Sequence, residues 1–266
     1  MSRLGDTFAR LAARGEKALV AYVTAGDPDL PRSREVVRAL CAAGVDILEL
    51  GVPFSDPTAD GPVIERACHR ALQAGTTLSA VLSLARDIRR ETETPIVLFS
   101  YYNPIFARGV ERFLSEAAEA GADGLLALDC PPEEQDDLSL SRVNGSLDLI
   151  RLIAPTTPPE RMRAVARDAS GFLYLVSMTG VTGAAGLDTE EVARTAGMLR
   201  AASALPVCVG FGFSRPEEVR AAAACADGAV VGSAFVRIVE ANRDDPRLPE
   251  RVGELAALLK AATRRP

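Results

Sequence analysis

Eight short apolar runs, separated by helix-forming stretches, constrain the fold of this chain more than any other feature. They lie at Leu19–Val23, Ile47–Leu50, Ile96–Phe99, Gly124–Leu128, Asp148–Ile153, Phe172–Val176, Val207–Gly210 and Ala229–Val231. Each is apolar on both parities, the pattern of strands buried on both faces. Helices are predicted between them. Asp29 caps Arg32–Ala43, and the second unit holds two helices, Val63–Gln73 and Leu78–Arg89. Thr157-Pro158-Pro159-Glu160 reads as a capping box with proline at the first helical position, and Ser214-Arg215-Pro216-Glu217 repeats it before Val219–Cys225. Asp188 with Glu191 starts another helix; Arg3–Ala13 precedes the first strand and Leu248–Ala262 closes the chain. Eight β-α units with no second composition zone predict one α/β domain over residues 1–266, a (β/α)8 TIM barrel. An extra N-terminal helix and an additional helix after strand two decorate it. An open doubly wound sheet would favour G-x-G-x-x-G after the first strand, and Thr24-Ala25-Gly26-Asp27-Pro28 does not match.

Composition narrows the chemistry. The 36 acidic residues outnumber the 30 Lys and Arg, which argues against a nucleic-acid partner. The single histidine, His69, cannot build a His-rich zinc site and is expected to be a surface or packed helix residue, not a catalytic one. The five cysteines (Cys41, Cys68, Cys130, Cys208 and Cys225) lack C-x-x-C spacing and read as buried free thiols of a reducing compartment. Met1–Arg14 lacks the apolar core of a signal peptide, and no run reaches the length of a membrane span, so a cytoplasmic protein is expected.

In a barrel, chemistry sits at the carboxyl ends of the strands. In Val45-Asp46-Ile47-Leu48-Glu49-Leu50-Gly51, parity puts Glu49 on the same face as Ile47, so Glu49 points into the mouth if Ile47 points into the barrel. Desolvation there raises a carboxyl pKa toward neutrality, which suits a group that both gives and takes protons. The alternative is a rim ion pair with an arginine. The following loop carries Asp56 and Asp60, which cannot easily cap the same helix, leaving one for a ligand. Gly210-Phe211-Gly212-Phe213-Ser214 and Gly232-Ser233-Ala234 follow the last two strands, where barrels hold phosphate on backbone N–H groups and a helix N-terminus. Ser177–Gly186, with three glycines, reads as a lid. Tyr174 lies within strand six, and its hydroxyl would seek a partner in the mouth.

The run from Glu49 to Pro62, ELGVPFSDPTADGP, resembles the signature of the tryptophan synthase alpha chain family. The resemblance continues through Ala25-Gly26-Asp27-Pro28, Tyr101-Tyr102-Asn103-Pro104, Gly180-Val181-Thr182-Gly183, Gly210-Phe211-Gly212 and Gly232-Ser233, covering nearly the whole chain. It implies retro-aldol cleavage of indole-3-glycerol phosphate to indole and glyceraldehyde 3-phosphate. The residues agree with that chemistry. Lys17 precedes the first strand and Lys260 lies in the last helix, so neither is placed for a Schiff base.

By the family's pattern Glu49 is the proton shuttle and Asp60 accepts the indole N–H. Tyr174 supports the site near Glu49. Thr182, Gly183, Gly212, Gly232 and Ser233 belong to the substrate-binding set, most of them as backbone around the phosphate. Phe211, Tyr22, Phe99 and Leu126 line the indole pocket. The family further implies no cofactor in this chain. It implies a heterotetramer with a beta subunit that carries pyridoxal phosphate, reached through the loops Pro53–Pro62 and Tyr101–Arg108. Thr58, Val63, Met178 and Thr179 depart from the family's usual residues, but none removes a group the mechanism needs. The runner-up is a stand-alone indole-3-glycerol-phosphate lyase. A non-catalytic activator of a beta chain and a phosphoribosyl isomerase fit less well, given Glu49, Asp60 and the loop-two signature.

Overall fold

A computed structural model describes residues 2–130, 147–176, 189–210 and 212–264. Its strands are β1 (Ala18–Thr24), β2 (Ile47–Gly51), β3 (Ile96–Ser100), β4 (Gly124–Ala127), β5 (Asp148–Leu149), β6 (Arg151–Ile153), β7 (Leu173–Val176), β8 (Val207–Gly210) and β9 (Gly228–Val231). All pair in parallel, in the order β5-β4-β3-β2-β1-β9-β8-β7-β6. The two ends of that order, β5 and β6, are the halves of the predicted strand Asp148–Ile153, parted at Ile150. One half pairs with β4 and the other with β7, so the sheet closes into a (β/α)8 barrel.

Side-chain parity builds the interior. Val20, Ile47, Val97, Leu126, Ile150, Phe172, Cys208 and Val230 form one buried inner cluster. Helix α1 (Arg3–Ala13) plugs its floor with Leu4, Phe8 and Leu11. The alternate positions, such as Leu19, Leu48, Leu98 and Val209, face outward into a second cluster with the helices. That division is why the strands are apolar at both parities. The outer helices comprise α2 (Leu30–Ala42), α3 (Pro62–Gln73), α4 (Leu78–Arg89), α5 (Tyr102–Arg108), α6 (Val110–Glu119), α7 (Pro159–Arg167), α8 (Thr189–Ala202), α9 (Pro216–Cys225), α10 (Ser233–Ala241) and α11 (Leu248–Ala262). Among the described residues no helix is long and apolar enough to cross a membrane.

Three expectations change in detail. Tyr101–Arg108 is not a loop, because Tyr102–Arg108 winds into α5. Thr157 does not close a capping box. Pro158 is the N-cap of α7, and the Thr157 hydroxyl instead accepts from the Ala154 N–H at 3.2 Å. Before α9 the carboxylate that reaches back is Glu218, accepting from the Ser214 and Arg215 N–H groups at 2.8 and 3.1 Å. The helix begins at Pro216, earlier than the expected Val219, and its N-cap is Arg215, one residue past Ser214, so Glu218 and not Glu217 stands at its third position. Asp29 caps α2 as expected, accepting from the Arg32 N–H at 2.9 Å. Asp188 lies outside the described residues.

A repeated clamp holds the barrel's amino-terminal rim. Asp46 Oδ2 accepts from the Leu19 N–H at 2.8 Å, Asp123 Oδ2 from Ile96 at 2.8 Å, and Asp227 Oδ2 from Val207 at 3.1 Å. The Ser170 hydroxyl does the same for Leu149 at 2.7 Å. Each side chain just before one strand thus satisfies an amide at the start of its neighbour. Cations neutralise the aspartates: Lys260 reaches Asp46 at 2.8 Å, Lys17 reaches Asp227 at 3.0 Å, and Arg89 reaches Asp123 at 2.5 Å. Both lysines are therefore spent at the rim opposite the mouth. Only 8% of the Lys260 side chain and 9% of the Asp46 side chain stay exposed, so removing one partner strands a buried charge. Lys260→Met is expected to cost about 3 kcal/mol in urea denaturation while leaving the mouth's chemistry unchanged. A loss below about 0.5 kcal/mol would show that the pair adds nothing.

Candidate active site

Glu49 sits on β2 with no solvent exposure, and among the described residues neither carboxylate oxygen has a hydrogen-bond partner. Among the described residues no arginine forms the rim ion pair with it. Burial alone pushes its pKa up to about 8. Tyr22 on β1 is Glu49's register partner, and its ring meets Phe99 edge-on at 5.1 Å. The Tyr22 hydroxyl lies 3.3 Å from Thr24 Oγ1. Two aromatic rings lean over glycines at strand ends. A Cβ on Gly51 would stand 2.3 Å from the Tyr22 hydroxyl, and one on Gly210 would stand 2.3 Å from the Tyr174 hydroxyl. Only glycine admits these rings into the mouth. Burial and the nearby Glu49 charge both raise the Tyr174 phenol, consistent with its expected place beside Glu49.

Asp60 is half-buried in the loop after β2. Neither it nor Asp56 caps α3, whose N-cap is Gly61, without a side-chain hydrogen bond. Asp56 is exposed and accepts from the Ser55 hydroxyl at 2.5 Å. Asp60 instead accepts from the Tyr101 hydroxyl at 3.1 Å, and that same oxygen accepts the Ala59 N–H at 3.0 Å. Burial raises the Asp60 carboxyl to about 6, with the Tyr101 hydrogen bond pulling against the rise. Tyr101 packs on Phe54 at 5.2 Å. Its role escapes a reading of spacing, because 41 residues separate it from Asp60. The available signal was its position just past β3, at the carboxyl end of a barrel strand.

The phosphate turns fall partly within the described residues. Gly232 precedes α10 as its N-cap, no side chain caps that helix, and Ser233 is its first residue. A Cβ on Gly232 would lie 3.2 Å from the Tyr22 ring, so this turn adjoins the Glu49 pocket. Gly212 is exposed with φ +67°, a conformation suited to glycine. Leu126 is buried in the inner cluster, with Phe99 and Tyr174 packed against it. Thr182, Gly183, Phe211 and the lid at 177–186 lie outside the described residues, as do Met178 and Thr179. Of the other departures, Val63 packs into a small cluster with Tyr22 and Phe99, and Thr58 is exposed. His69 is exposed on α3. Among the cysteines, Cys68, Cys130 and Cys208 are buried and Cys41 and Cys225 half-buried; all are free thiols. Burial pushes the Cys68 thiol up to about 11, which makes it a poor nucleophile.

The mouth of this barrel thus holds two carboxyl groups whose surroundings separate their pKa values across neutrality. Fold and mouth together define a (β/α)8 barrel suited to acid–base chemistry. The sequence model of the family described as tryptophan synthase alpha chain matches residues 8–264, and the chain belongs to that family. The tryptophan synthase alpha chain of Desulfatibacillum aliphaticivorans is 54% identical over 264 residues, covering 99% of this chain and 100% of the relative. That of Desulfosudis oleivorans is 53% identical with the same coverage. Among solved structures, tryptophan synthase subunit alpha from Legionella pneumophila superposes with a TM-score of 0.91 at 39% identity, covering 99% of this chain and 98% of that one. Mycobacterium tuberculosis tryptophan synthase superposes with a TM-score of 0.92 at 35% identity, covering 100% and 99%.

Proposed function

We propose that Glu49 and Asp60 carry out the family's alpha reaction, cleaving indole-3-glycerol phosphate to indole and glyceraldehyde 3-phosphate. The supporting observation is a fully buried Glu49 carboxyl without a hydrogen-bond partner among the described residues, in the same barrel mouth as an Asp60 carboxyl held by the Tyr101 hydroxyl; burial raises both, to about 8 and about 6. At pH 7 the resting Glu49 holds a proton while Asp60 is ionised. Glu49 gives its proton to indole C3, leaving positive charge on the ring that the Asp60 carboxylate offsets at N1–H. The Glu49 carboxylate then takes the proton of the adjacent side-chain hydroxyl. The C–C bond breaks, its electron pair restores the aromatic ring, and the hydroxyl carbon leaves as the aldehyde. Glu49 ends protonated, ready for the next turnover. The backbone at Gly212, Gly232 and Ser233, together with Thr182 and Gly183, holds the phosphate. Tyr22, Phe99, Leu126 and Phe211 wall the indole.

This alpha chain itself needs no cofactor. Its partner is a tryptophan synthase beta subunit, which carries pyridoxal phosphate and condenses the indole with serine. The docking face we assign is the mouth side. There Phe106 on α5 is 66% exposed and the loop at 55–59 is largely exposed. The chain acts as one barrel domain over residues 1–266 in the cytoplasm. Indole release from indole-3-glycerol phosphate, followed by fluorescence with and without a beta chain, tests the reading. The absence of tryptophan keeps the protein background low. Slow release that rises with the partner is expected. Fast release without it favours the stand-alone lyase, and no release in either case refutes the proposal.

Tyr101→Phe removes the hydroxyl that donates to Asp60 and receives Ala59. The lost hydrogen bond had lowered the Asp60 pKa, so the acid limb of the kcat/KM profile is expected to move to higher pH. Rate at neutral pH is expected to fall about tenfold. An unmoved limb would show that Tyr101 does not hold Asp60 in the working enzyme.

A further inference from the structure

We propose that Arg70 is a positioning residue for the cleavage, setting the spacing between Asp60 and the phosphate turn at Gly232 and Ser233. Resting on the function proposed above, this role follows from where the guanidinium lies. Helix α3 begins two residues after Asp60, and α10 begins at the phosphate turn. Neither start is fixed by a capping side chain. Both helices are instead joined near their far ends. Arg70, in the last turn of α3, donates from Nε and Nη2 to the two oxygens of Asp27 at 2.7 and 2.8 Å. Its Nη1 donates to Glu240 Oε1 of α10 at 2.9 Å. The Asp27 side chain is 2% exposed and that of Arg70 is 13% exposed, so water competes little for this clamp.

The anchor beneath the clamp is itself fixed. The turn bearing Asp27 is tied to β2 by the Ala25 N–H donating to the Gly51 carbonyl at 2.9 Å. It is tied to α2 by the Gly26 N–H donating to the Ser33 hydroxyl at 2.9 Å. Gly51 ends the strand that carries Glu49. Through Arg70, the helix behind Asp60 and the helix behind the phosphate turn therefore share one reference point with Glu49. A second link pairs Arg66 Nε and Nη2 with both Glu240 oxygens at 2.7 and 2.8 Å; it joins the same two helices but does not reach Asp27, and its Arg66 side chain is 53% exposed, so water competes for it. The three-way geometry requires a planar fork: a lysine ammonium has no fork to pair both Asp27 oxygens side by side while also reaching Glu240.

The discriminating measurement compares linked and separate ligands. Wild type, Arg70→Lys and Glu240→Gln would be titrated with indole, with glycerol 3-phosphate, and with a non-cleavable indolylalkyl phosphate that joins the two ends. kcat and KM would be measured for indole-3-glycerol phosphate alongside a urea titration of each protein. If Arg70 sets the spacing, Arg70→Lys binds each fragment within about twofold of wild type but loses about tenfold for the linked ligand and in kcat/KM. Glu240→Gln, which keeps the Asp27 fork, is expected to lose about threefold on the linked ligand, and it supplies the test if Arg70→Lys does not fold. Fragment affinities that fall as far as the linked affinity would reduce Arg70 to a general structural role and overturn the proposal. So would linked affinity and kcat/KM unchanged in both variants. Absence of cleavage by the wild type would instead refute the assigned reaction, so the two failures are distinguishable.

Discussion

Glu49→Gln is expected to lower kcat for indole release by about 10³-fold or more while making the folded protein more stable at alkaline pH. The amide keeps the shape of the side chain but can neither give the proton to C3 nor take the one from the hydroxyl. The stability gain follows from the same burial. An unfolded glutamate loses its proton near the ordinary 4.5, but folded Glu49 loses it only near 8. Across that window the folded state binds the extra proton, so stability falls as pH rises, by about 1.4 kcal/mol per unit before relaxation. Removing the ionisable group removes the loss. Wild type and variant should match near pH 4, and the variant should gain on the wild type as pH rises, up to an upper bound of about 5 kcal/mol at pH 9 that relaxation of the pocket reduces. Urea denaturation at the two pH values checks this. Equal stability at both would mean that Glu49 is not desolvated in solution, and substantial residual turnover would refute its role as the shuttle.

Asp60→Asn should cost about 10²-fold in kcat/KM, because a neutral amide cannot offset the cationic ring. The pH profile gives the sharper test. In the free wild-type enzyme, productive binding needs Asp60 ionised, above about 6, and Glu49 protonated, below about 8. The kcat/KM profile should therefore be bell-shaped with limbs near those values. The asparagine variant should lose the acid limb and keep the alkaline one. Retention of the acid limb in Asp60→Asn would assign it to another group, and unchanged kinetics would remove Asp60 from the mechanism.

Much of this was legible in local sequence. Arg3–Ala13, Leu78–Arg89 and Leu248–Ala262 form helices with the expected bounds; Ser2 and Thr77 cap the first two, and the third, which starts without a side-chain cap, carries Pro249 in its first turn. Parity located Glu49, because side chains alternate along a strand whatever surrounds it. The break at Ile150 was not legible, since Asp148–Ile153 is one uninterrupted run and only closure of the barrel divides its partners. The rim clamp leaves only a faint trace in the sequence: Gly44-Val45-Asp46, Gly121-Ala122-Asp123 and Cys225-Ala226-Asp227 each place an aspartate just before alternate strands, but the amide each one meets lies on a neighbouring strand.

The sequence by itself determined the strand and helix alternation, the inward face of β2 and the chemical types available to the mouth. These depend on neighbours within a turn or two. The protonation states of Glu49 and Asp60 were decided only by tertiary structure, because desolvation and the Tyr101 hydroxyl act through space. The Arg70 clamp is of the same kind. It joins Asp27, Arg70 and Glu240, which lie 43 and 170 residues apart along the chain. No local pattern encodes such a contact. It exists because closing the barrel brings the last βα unit back against the first two.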